Sequence, residues 1–170
     1  AKKAIVLPNN GNIVMAAKQA AEVSDIPVGI VPSKTISQGL TAMLSFNPDA
    51  SVDDNVEAMS EDLDTVVSGE VTQATRDTEI DDVEIHKNDY LGIIDGNIKV
   101  DNADLIKATT EMIEKMLDED SEIITIMFGR DSNEEEAQEV VSQLEEKHDD
   151  LEFEIHDGGQ PVYHFLVSVE

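Results

Sequence analysis

The sequence Ala4-Ile-Val-Leu-Pro-Asn-Asn-Gly-Asn12 has the pattern of a short buried strand that ends in a polar turn and leads into a helix. Its continuous apolar run predicts a strand covered on both faces, and Pro8 ends the strand because proline cannot donate a ladder hydrogen bond. The asparagines supply turn and cap chemistry, and the alanine-rich segment 13–23 predicts a helix. Ligands and partners of open α/β sheets bind where strands end in such turns. We therefore expect this turn to belong to the functional surface.

A second strand with the same kind of ending follows the predicted helix. Residues 26–31 form another short apolar run, which Pro32 ends. A strand–helix–strand unit normally forms a parallel pair with a right-handed crossover, so the turns after the two strands should open at the same edge. Either Thr35 or Ser37 then caps a helix that runs to about Phe46. Two polar turns would thus line one rim.

The rest of the chain alternates between helical and strand patterns. Ser51 precedes acids suited to the positive end of a helix that continues to about residue 68. From Gly69 the period changes to an alternation of side chains, which predicts a small antiparallel β module as far as about Val100. Further elements are expected as a helix at 102–117, a strand at 122–128, a helix at 133–148 capped by Ser132, and strands at 151–155 and 163–169.

These patterns together predict an α/β fold in which strand–turn–helix units form a sheet flanked by helices. We expect two lobes, residues 1–68 and 69–170, with the β module at 69–100 in the second lobe. The chain begins at Ala1, without methionine, and enters its first strand almost at once, so we expect a piece of a longer protein, although removal of a tag would leave a similar start.

Acidic residues dominate the composition, because the 170 residues include 38 Asp and Glu against 11 Lys and Arg, a formal net charge of −27. Such a surface repels nucleic acids and anionic membranes. It is explained either by solvation in a high-salt cytoplasm or by attraction to a basic partner. The absence of cysteine excludes disulfides and thiolate chemistry, and the sequence has no apolar run of bilayer length. We expect a cytoplasmic protein.

No motif in the sequence specifies an enzyme. It has no Walker lysine loop, no dinucleotide-binding glycine pattern and no nucleophile elbow. Adjacent carboxylates such as Asp53-Asp54 are explained by the abundance of acids, and a two-histidine metal site at His156 and His164 is less expected than histidines that face solvent. Arg130 follows a strand and could hold a phosphate or an acidic side chain, but an ordinary ion pair is favoured. The residues alone favour a binding module without a metal site.

Seven short stretches of the sequence match one known family in the order of that family. They are residues 5–10 (IVLPNN), 31–39 (VPSKTISQG), 42–48 (AMLSFNP), 55–59 (NVEAM), 69–77 (GEVTQATRD), 90–96 (YLGIIDG) and 158–163 (GGQPVY). On these stretches the chain resembles the carboxyl-terminal domain of the ATP-binding subunit of bacterial fatty acid kinase, a dihydroxyacetone kinase-like family. The resemblance covers nearly the whole chain, and it implies that the two lobes together form one carboxyl-terminal domain of a longer protein.

The resemblance implies a fold like that of DegV proteins and a role in fatty acid phosphorylation. In the family, a separate amino-terminal domain binds ATP and magnesium, so the resemblance implies that this chain holds no cofactor and no catalytic residue. It also implies that the chain helps engage the fatty-acid-binding kinase subunit, whose fatty acid becomes an acyl phosphate for membrane phospholipid synthesis. The parent protein would then be a phosphotransferase, whereas this part of it would be non-catalytic.

Two hypotheses for the chain follow from the residues and the resemblance. In the first, the chain is a docking domain whose contact surface is the rim of polar turns. In the second, it holds a fatty acid between its lobes, with Thr35 and Arg130 gripping the carboxylate. We expect no nucleic acid binding and no stable membrane insertion, and a homodimer is an open alternative. The residues expected to bind the partner are Asn9, Asn10, Thr35, Gln38, Gly39, Arg130, Gly158, Gly159, Gln160 and Pro161.

Overall fold

The computed structural model describes residues 1–170, and the chain divides into two compact units, Ala1–Val66 and Val67–Glu170. Each unit has a hydrophobic core of its own. None of the helices combines the length and the hydrophobicity that crossing a lipid bilayer requires.

The amino-terminal unit is built on a two-stranded parallel sheet. Its elements are β1 (Ala4–Val6), α1 (Val14–Glu22), β2 (Val28–Ile30), α2 (Ile36–Met43), α3 (Val52–Glu61) and a 3-10 helix at Asp62–Thr65. β1 and β2 pair in parallel, as predicted, with Val6 opposite Ile30. The prediction that β1 is covered on both faces is wrong, since its residues are half-buried or exposed. Packed helices cover the faces of a sheet, and here α1 and α3 pack mainly against β2, so β1 stays partly exposed.

Side-chain caps fix where α2 and α3 begin. The Thr35 hydroxyl accepts a hydrogen bond from the Gln38 amide at 3.1 Å, and the Ser51 hydroxyl accepts one from the Asp54 amide at 3.1 Å. Of the two caps considered for α2, the structure therefore selects Thr35. Helix α3 ends at Glu61 and not near residue 68, because the chain first tightens into the 3-10 helix and then enters the next strand.

The carboxyl-terminal unit is a six-stranded mixed sheet with two helices and a small antiparallel sheet, so the predicted α/β class is confirmed. The large sheet has the strand order β7-β6-β3-β10-β8-β9, and only β8 and β9 pair in parallel. The segment 69–100 gives β3, β6 and β7 to this sheet, whereas β4 and β5 pair separately. The elements are β3 (Val67–Gln73), β4 (Thr78–Ile80), β5 (Val83–Ile85), β6 (Tyr90–Ile94), β7 (Asn97–Asn102), α4 (Leu105–Met116), β8 (Ile123–Phe128), α5 (Glu134–Glu145), β9 (Glu152–Asp157) and β10 (Phe165–Val169).

The core of this unit contains buried residues from the large sheet and from both helices. Met112 and Ile113 of α4, Leu144 of α5 and Phe165 of β10 belong to one buried cluster. Strand β10 lies between β3 and β8 and pairs with both along its whole length. The last strand of the chain is therefore a central strand of the sheet, and the unit cannot complete its core without it.

The residue that caps α5 differs from the one predicted. The side-chain oxygen of Asn133 accepts a hydrogen bond from the Glu136 amide at 2.9 Å, so Asn133 is the cap. The hydroxyl of Ser132 instead donates to the carbonyl of His164, which precedes β10. Both residue types cap helices well, and a contact between distant segments decides which one does so here.

Candidate functional site

The two polar turns of the amino-terminal unit contact each other. The Asn9 amide donates to the buried Ser33 hydroxyl at 3.0 Å, and that hydroxyl donates back to the Asn9 side-chain oxygen at 2.7 Å. A β-carbon at Gly39 would collide with the same Asn9 oxygen, so any larger residue there would require the Asn9 side chain to move. Asn9 itself has a φ of 52°, a left-handed conformation that asparagine tolerates. These contacts fix the start of α2 against the turn that follows β1.

The remaining predicted residues of this unit differ in how available they are to a partner. Both polar ends of Gln38 are used within the unit, because its side-chain oxygen accepts from the Lys34 amide at 2.7 Å and its nitrogen donates to the Leu63 carbonyl at 3.1 Å. Thr35 caps α2. Asn10 is exposed, and its side-chain oxygen accepts from the Asn12 amide at 2.9 Å. Gln38 and Thr35 therefore shape the rim, whereas Asn10 lies on its surface.

Most of the predicted residues of the carboxyl-terminal unit form one loop, residues 158–161. The side chains of Arg130 and Gln160 hold this loop in place. The Arg130 Nε donates to the Gly159 carbonyl at 3.0 Å, and the Arg130 amide donates to the Gln160 carbonyl at 3.0 Å. The Gln160 side chain donates to the carbonyls of Met127 and Tyr163, at 3.1 and 3.3 Å. Gly158, Gly159 and Pro161 are exposed.

The ion pair that the sequence favoured for Arg130 is absent from the structure. The side chain of Arg130 is exposed, and no carboxylate lies within ion-pair distance of it. Its Nε instead bonds a backbone carbonyl, because the loop at 158–161 folds back over the end of β8. The remaining guanidinium donors face an exposed region, where they could bind an acidic side chain of a partner.

The two histidines that flank this loop have separate surroundings. His156 is exposed, and its Nε2 lies 3.4 Å from a carboxylate oxygen of Glu154. His164 is half-buried and meets the ring of Tyr90 edge to face, with ring centroids 5.2 Å apart. Each imidazole thus has a neighbour of a different kind, and the geometry gives no support for a shared metal.

Burial perturbs a carboxyl and a phenol in the same unit. Glu70 lies on β3 opposite Leu166 on one side and Ile93 on the other, and burial among such residues raises the pKa of its carboxyl. Burial also raises the pKa of the Tyr163 hydroxyl, and the charge of Glu70 acts in the same direction. Neither group has a partner geometry that suggests acid–base catalysis.

An exposed apolar face of α2 is the feature that sequence reasoning missed. Because helices were expected to use their apolar residues in their own cores, none was assigned to the surface. The structure instead buries the small residues of α2 and exposes the large ones, with Leu40 51% and Leu44 81% exposed. We call this surface the α2 patch, and it consists of Ile36, Leu40 and Met43 of α2 together with Leu44 and Phe46, which follow the helix.

A signal for this face was present in the sequence. Positions 36, 40, 43 and 44 follow the spacing of one helix face, whereas the small residues Ser37, Gly39 and Ala42 lie outside this stripe. A helix whose small residues alternate in this way with large apolar ones has two candidate faces for the core. The close approach of Gly39 to Asn9 favours the arrangement in which the small residues turn inward.

The amino-terminal unit also contains a small apolar cavity of about 260 Å³. It lies among β1, α2 and α3, and its lining includes Ile5, Leu7, Phe46 and Met59 together with Lys3. The Lys3 ammonium donates to the Ala50 carbonyl at 2.9 Å. The cavity is apolar, but its one cation is already engaged with the backbone.

Comparison with known proteins identifies the family. Residues 1–170 match the FakA-like family, whose description is that of the C-terminal part of a fatty acid kinase. An uncharacterized protein of Staphylococcus aureus strain USA300 is 41% identical over 169 residues, which is 99% of this chain and 31% of that protein. A protein of strain MRSA252 is 40% identical over the same length. The chain therefore spans about a third of the length of the curated relatives it matches.

Solved structures of DegV-type proteins share the fold. A DegV family protein of Eubacterium eligens loaded with heptadecanoic acid superposes with a TM-score of 0.64 at 12% identity, over 100% of this chain and 73% of that one. The fatty acid kinase B3 protein of Streptococcus pneumoniae loaded with linoleic acid gives 0.62 at 12% identity, over 100% and 72%. These likenesses show a DegV-like fold. By its full-length match, the chain belongs to the FakA-like C-terminal family of fatty acid kinase.

Proposed function

We propose that this chain is a non-catalytic, cytoplasmic docking domain that binds the fatty-acid-binding subunit of a fatty acid kinase. ATP and magnesium bind to other parts of the parent protein, which phosphorylates the fatty acid of the docked subunit to an acyl phosphate for phospholipid synthesis. The family match supports this role. Its structural support is the α2 patch, an apolar surface on a chain with a net charge of −27.

The arrangement of α2 is the observation that carries the proposal. A surface helix normally turns its large apolar side chains toward the core. Helix α2 buries Ser37, Gly39 and Ala42 instead, and the side chains of Leu40 and of Leu44, which directly follows the helix, are exposed. Contiguous exposed apolar residues on one face mark protein interaction sites, and the fully buried centre of an interface is where apolar residues concentrate.

The rest of the surface of this unit supports a protein partner. Nine of the eleven exposed large hydrophobic residues lie in residues 1–66. This unit carries nine acids and four Lys or Arg, a net charge of −5, whereas residues 67–170 carry 29 acids and seven Lys or Arg, a net charge of −22. The less charged unit thus carries the apolar surface. An acidic partner is repelled less by this unit than by residues 67–170.

The polar turns have a supporting part in this proposal. Asn9 and Gly39 hold α2 in the orientation that exposes the patch, and Thr35 and Gln38 fix its first turn. In the other unit, Arg130 and the loop 158–161 offer exposed polar contacts. Of the residues predicted to bind the partner, we therefore expect Asn10, Arg130 and the exposed loop residues to touch it, and the others to act through α2.

Binding of a fatty acid is the second candidate function. The apolar cavity in the amino-terminal unit favours it, and so do the DegV-type neighbours that carry fatty acids. However, its 260 Å³ falls below the roughly 300–1,000 Å³ of small-molecule sites. Lys3, the cation that could hold a carboxylate, already donates to a backbone carbonyl. We therefore prefer docking.

Isothermal titration with the acyl-loaded partner protein tests the proposal. We expect Leu40→Gln combined with Leu44→Gln to weaken partner binding at least tenfold, because two large side chains would no longer bury apolar surface. The thermal midpoint should stay within about 2 °C of the parent, since both side chains are exposed. Val23→Gln, at an 83% exposed residue outside the patch, is the matched control and should leave binding unchanged.

The outcomes separate the two functions. Equal affinity of the parent chain and the Leu40/Leu44 variant would contradict docking through α2. Saturable heat on titration of free fatty acid into the chain would support the second function instead. Substitution of Gln38 or Gln160 is a weaker test, because both side chains hold backbone segments together and their loss would alter the fold as well.

A further inference from the structure

The turn between β5 and β6 gathers three potential metal ligands that no motif of the sequence brings together. His86 directly follows β5, Asp89 directly precedes β6, and Asp101 lies on β7. Because β6 and β7 form a hairpin in which Leu91 is opposite Asp101, the strand pairing carries Asp101 to the turn. The Nδ1 of His86 lies 3.2 Å from Oδ1 of Asp101 and 3.9 Å from Oδ2 of Asp89. One ligand atom from each residue lies within 4.8 Å of the other two.

We propose that His86, Asp89 and Asp101 form a binding site for one divalent transition metal ion of the zinc type. An imidazole nitrogen with two carboxylate oxygens is a donor set that such ions accept. In a tetrahedral zinc site with bonds of about 2.0–2.1 Å, the ligand atoms lie roughly 3.3 Å apart. The observed separations of 3.2 and 3.9 Å are close to this value, so small side-chain rotations suffice to close the site.

Each ligand is held in place by a second contact. The Oδ2 of Asp101 accepts the His86 amide at 2.9 Å, and the Asp101 side chain is only 8% exposed. A metal bound to Oδ1 would replace the hydrogen bond that this oxygen shares with the His86 Nδ1 at 3.2 Å. The backbone of Asp89 is fixed at both of its polar groups, by His86 at 3.1 Å and by Ala74 at 2.8 Å. A ligand set with fixed backbone and side-chain anchors loses little freedom when a metal binds.

The outer contacts and the local charge also suit a metal. The Nε2 of His86 lies 3.7 Å from a carboxylate oxygen of Glu84, and a carboxylate at the far nitrogen is the usual neighbour of a metal-bound histidine. With Glu84 included, three carboxylates surround His86, and no Lys or Arg lies within ion-pair distance of them. A divalent cation would offset their repulsion. The His86 side chain is 57% exposed, so a metal could enter and keep one position for water.

The occupied site would join the turn 86–89 to β7 and thereby stabilise the small β4–β5 sheet beside it. We expect zinc to bind the metal-free chain with a stoichiometry of one in isothermal titration at pH 7.5, and to raise the thermal midpoint by several degrees. His86→Ala and, separately, Asp89→Asn should weaken zinc binding at least tenfold. Both side chains are partly exposed, so these variants keep the fold, which circular dichroism would verify. His156→Ala is the matched control, because His156 is an exposed histidine with a single acidic neighbour.

Competing ions and cobalt extend the test. Calcium or magnesium in 100-fold excess should not displace zinc, since both prefer oxygen ligands over imidazole. Cobalt should produce visible absorption of tetrahedral type that disappears in His86→Ala. The proposal is overturned if zinc gives no saturable heat, if binding survives His86→Ala, or if His156→Ala weakens it equally. Either of the last two results would show diffuse binding by surface carboxylates.

Discussion

The properties of single residues in this protein depend on the residues that the fold places beside them. Glu70 occupies a position on β3 between Leu166 and Ile93, and burial raises the pKa of its carboxyl. Gly39 lies in α2, where glycine normally costs about 1 kcal/mol relative to alanine, but the side chain of Asn9 occupies the space that a β-carbon would need. In both cases a long-range contact overrides what the local sequence would favour.

We expect Glu70→Gln to stabilise the protein at neutral pH. A carboxyl whose pKa is raised on folding adds stability below its unfolded pKa, near 4.5, and this contribution is lost as the pH rises through the folded pKa. The variant should therefore be more stable than the parent at pH 7.5, by about 0.5 kcal/mol because solvent still reaches the side chain. The difference should shrink at pH 5.0. Urea unfolding at both pH values measures it.

The exposed Glu152 on the edge strand β9 provides the control, and Glu152→Gln should show no such change between the two pH values. A Glu70→Gln variant whose advantage is larger at pH 5.0 than at pH 7.5 would contradict the sign of the shift.

We expect Gly39→Ala to destabilise the amino-terminal unit by about 1–3 kcal/mol, despite the better helix propensity of alanine. The added β-carbon collides with the Asn9 side chain, which the buried Ser33 hydroxyl holds in place. Gly11→Ala is the control, because its β-carbon would meet only the Lys34 side chain at 3.7 Å. Thermal unfolding compares the two. Equal midpoints would show that Asn9 can move aside at no cost.

At the scale of elements, glycines determine how closely α4 approaches the sheet. A β-carbon at Gly69 of β3 would lie 2.6 Å from the Met116 sulfur and 2.7 Å from the Met112 methyl. At Gly92 of β6, it would lie 2.9 Å from the Met112 β-carbon and 3.0 Å from that of Val100. Thioether ends can turn aside, whereas β-carbons move only with the backbone. Gly69 should therefore tolerate an added methyl group better than Gly92.

Consequently, we expect Gly92→Ala to cost about 1–3 kcal/mol of unfolding free energy and Gly69→Ala less than about 1 kcal/mol. Chemical denaturation of the two variants at one pH gives both values. Each variant serves as the control for the other, because both add one methyl group to a strand that packs against α4. The reverse order would mean that the methionine side chains are more constrained than the backbone.

At the scale of the whole molecule, charge is distributed unevenly between the two units. The net charge of −27 falls mainly on residues 67–170, which carry −22, while the exposed apolar residues concentrate in residues 1–66. The acids continue to the end of α5, where Glu145 lies in a last turn that contains no basic residue. Negative charge is unfavourable at a helix carboxyl terminus.

We expect added salt to stabilise the chain, because the distance over which charges repel falls from about 10 Å at 0.1 M to about 3 Å at 1 M salt. The thermal midpoint should rise as potassium chloride increases over this range. Glu145→Lys should raise the midpoint at low salt and reduce its dependence on salt, because it removes repulsion and suits the helix end.

Glu134→Lys makes the same change of net charge at the other end of α5, in the first turn. It should be less stabilising than Glu145→Lys, since an acid is favourable at that end. Equal effects of the two variants would show that only net charge matters.

The sequence predicted local features well where neighbouring residues decide them. The parallel pairing of β1 with β2 and the α/β class follow from the order of turns, proline residues and periodic segments, whereas the cap of α2 was narrowed only to Thr35 or Ser37. The cap of α5 was assigned to the wrong neighbour, because the carbonyl of His164, far away in the chain, takes the Ser132 hydroxyl. An ion pair was favoured for Arg130 because acids are abundant, yet a folded-back loop engages it instead.

By itself, the sequence determined which segments become helices and strands, the class of fold and the family, since caps, turns and periodicity act within a few residues. Only the tertiary structure decided which face of α2 is exposed, how deeply Glu70 is buried and that Asp101 joins His86 and Asp89. The physical reason is that these features depend on the pairing of strands and the packing of glycines between segments far apart in the chain. Local sequence patterns do not encode such distances.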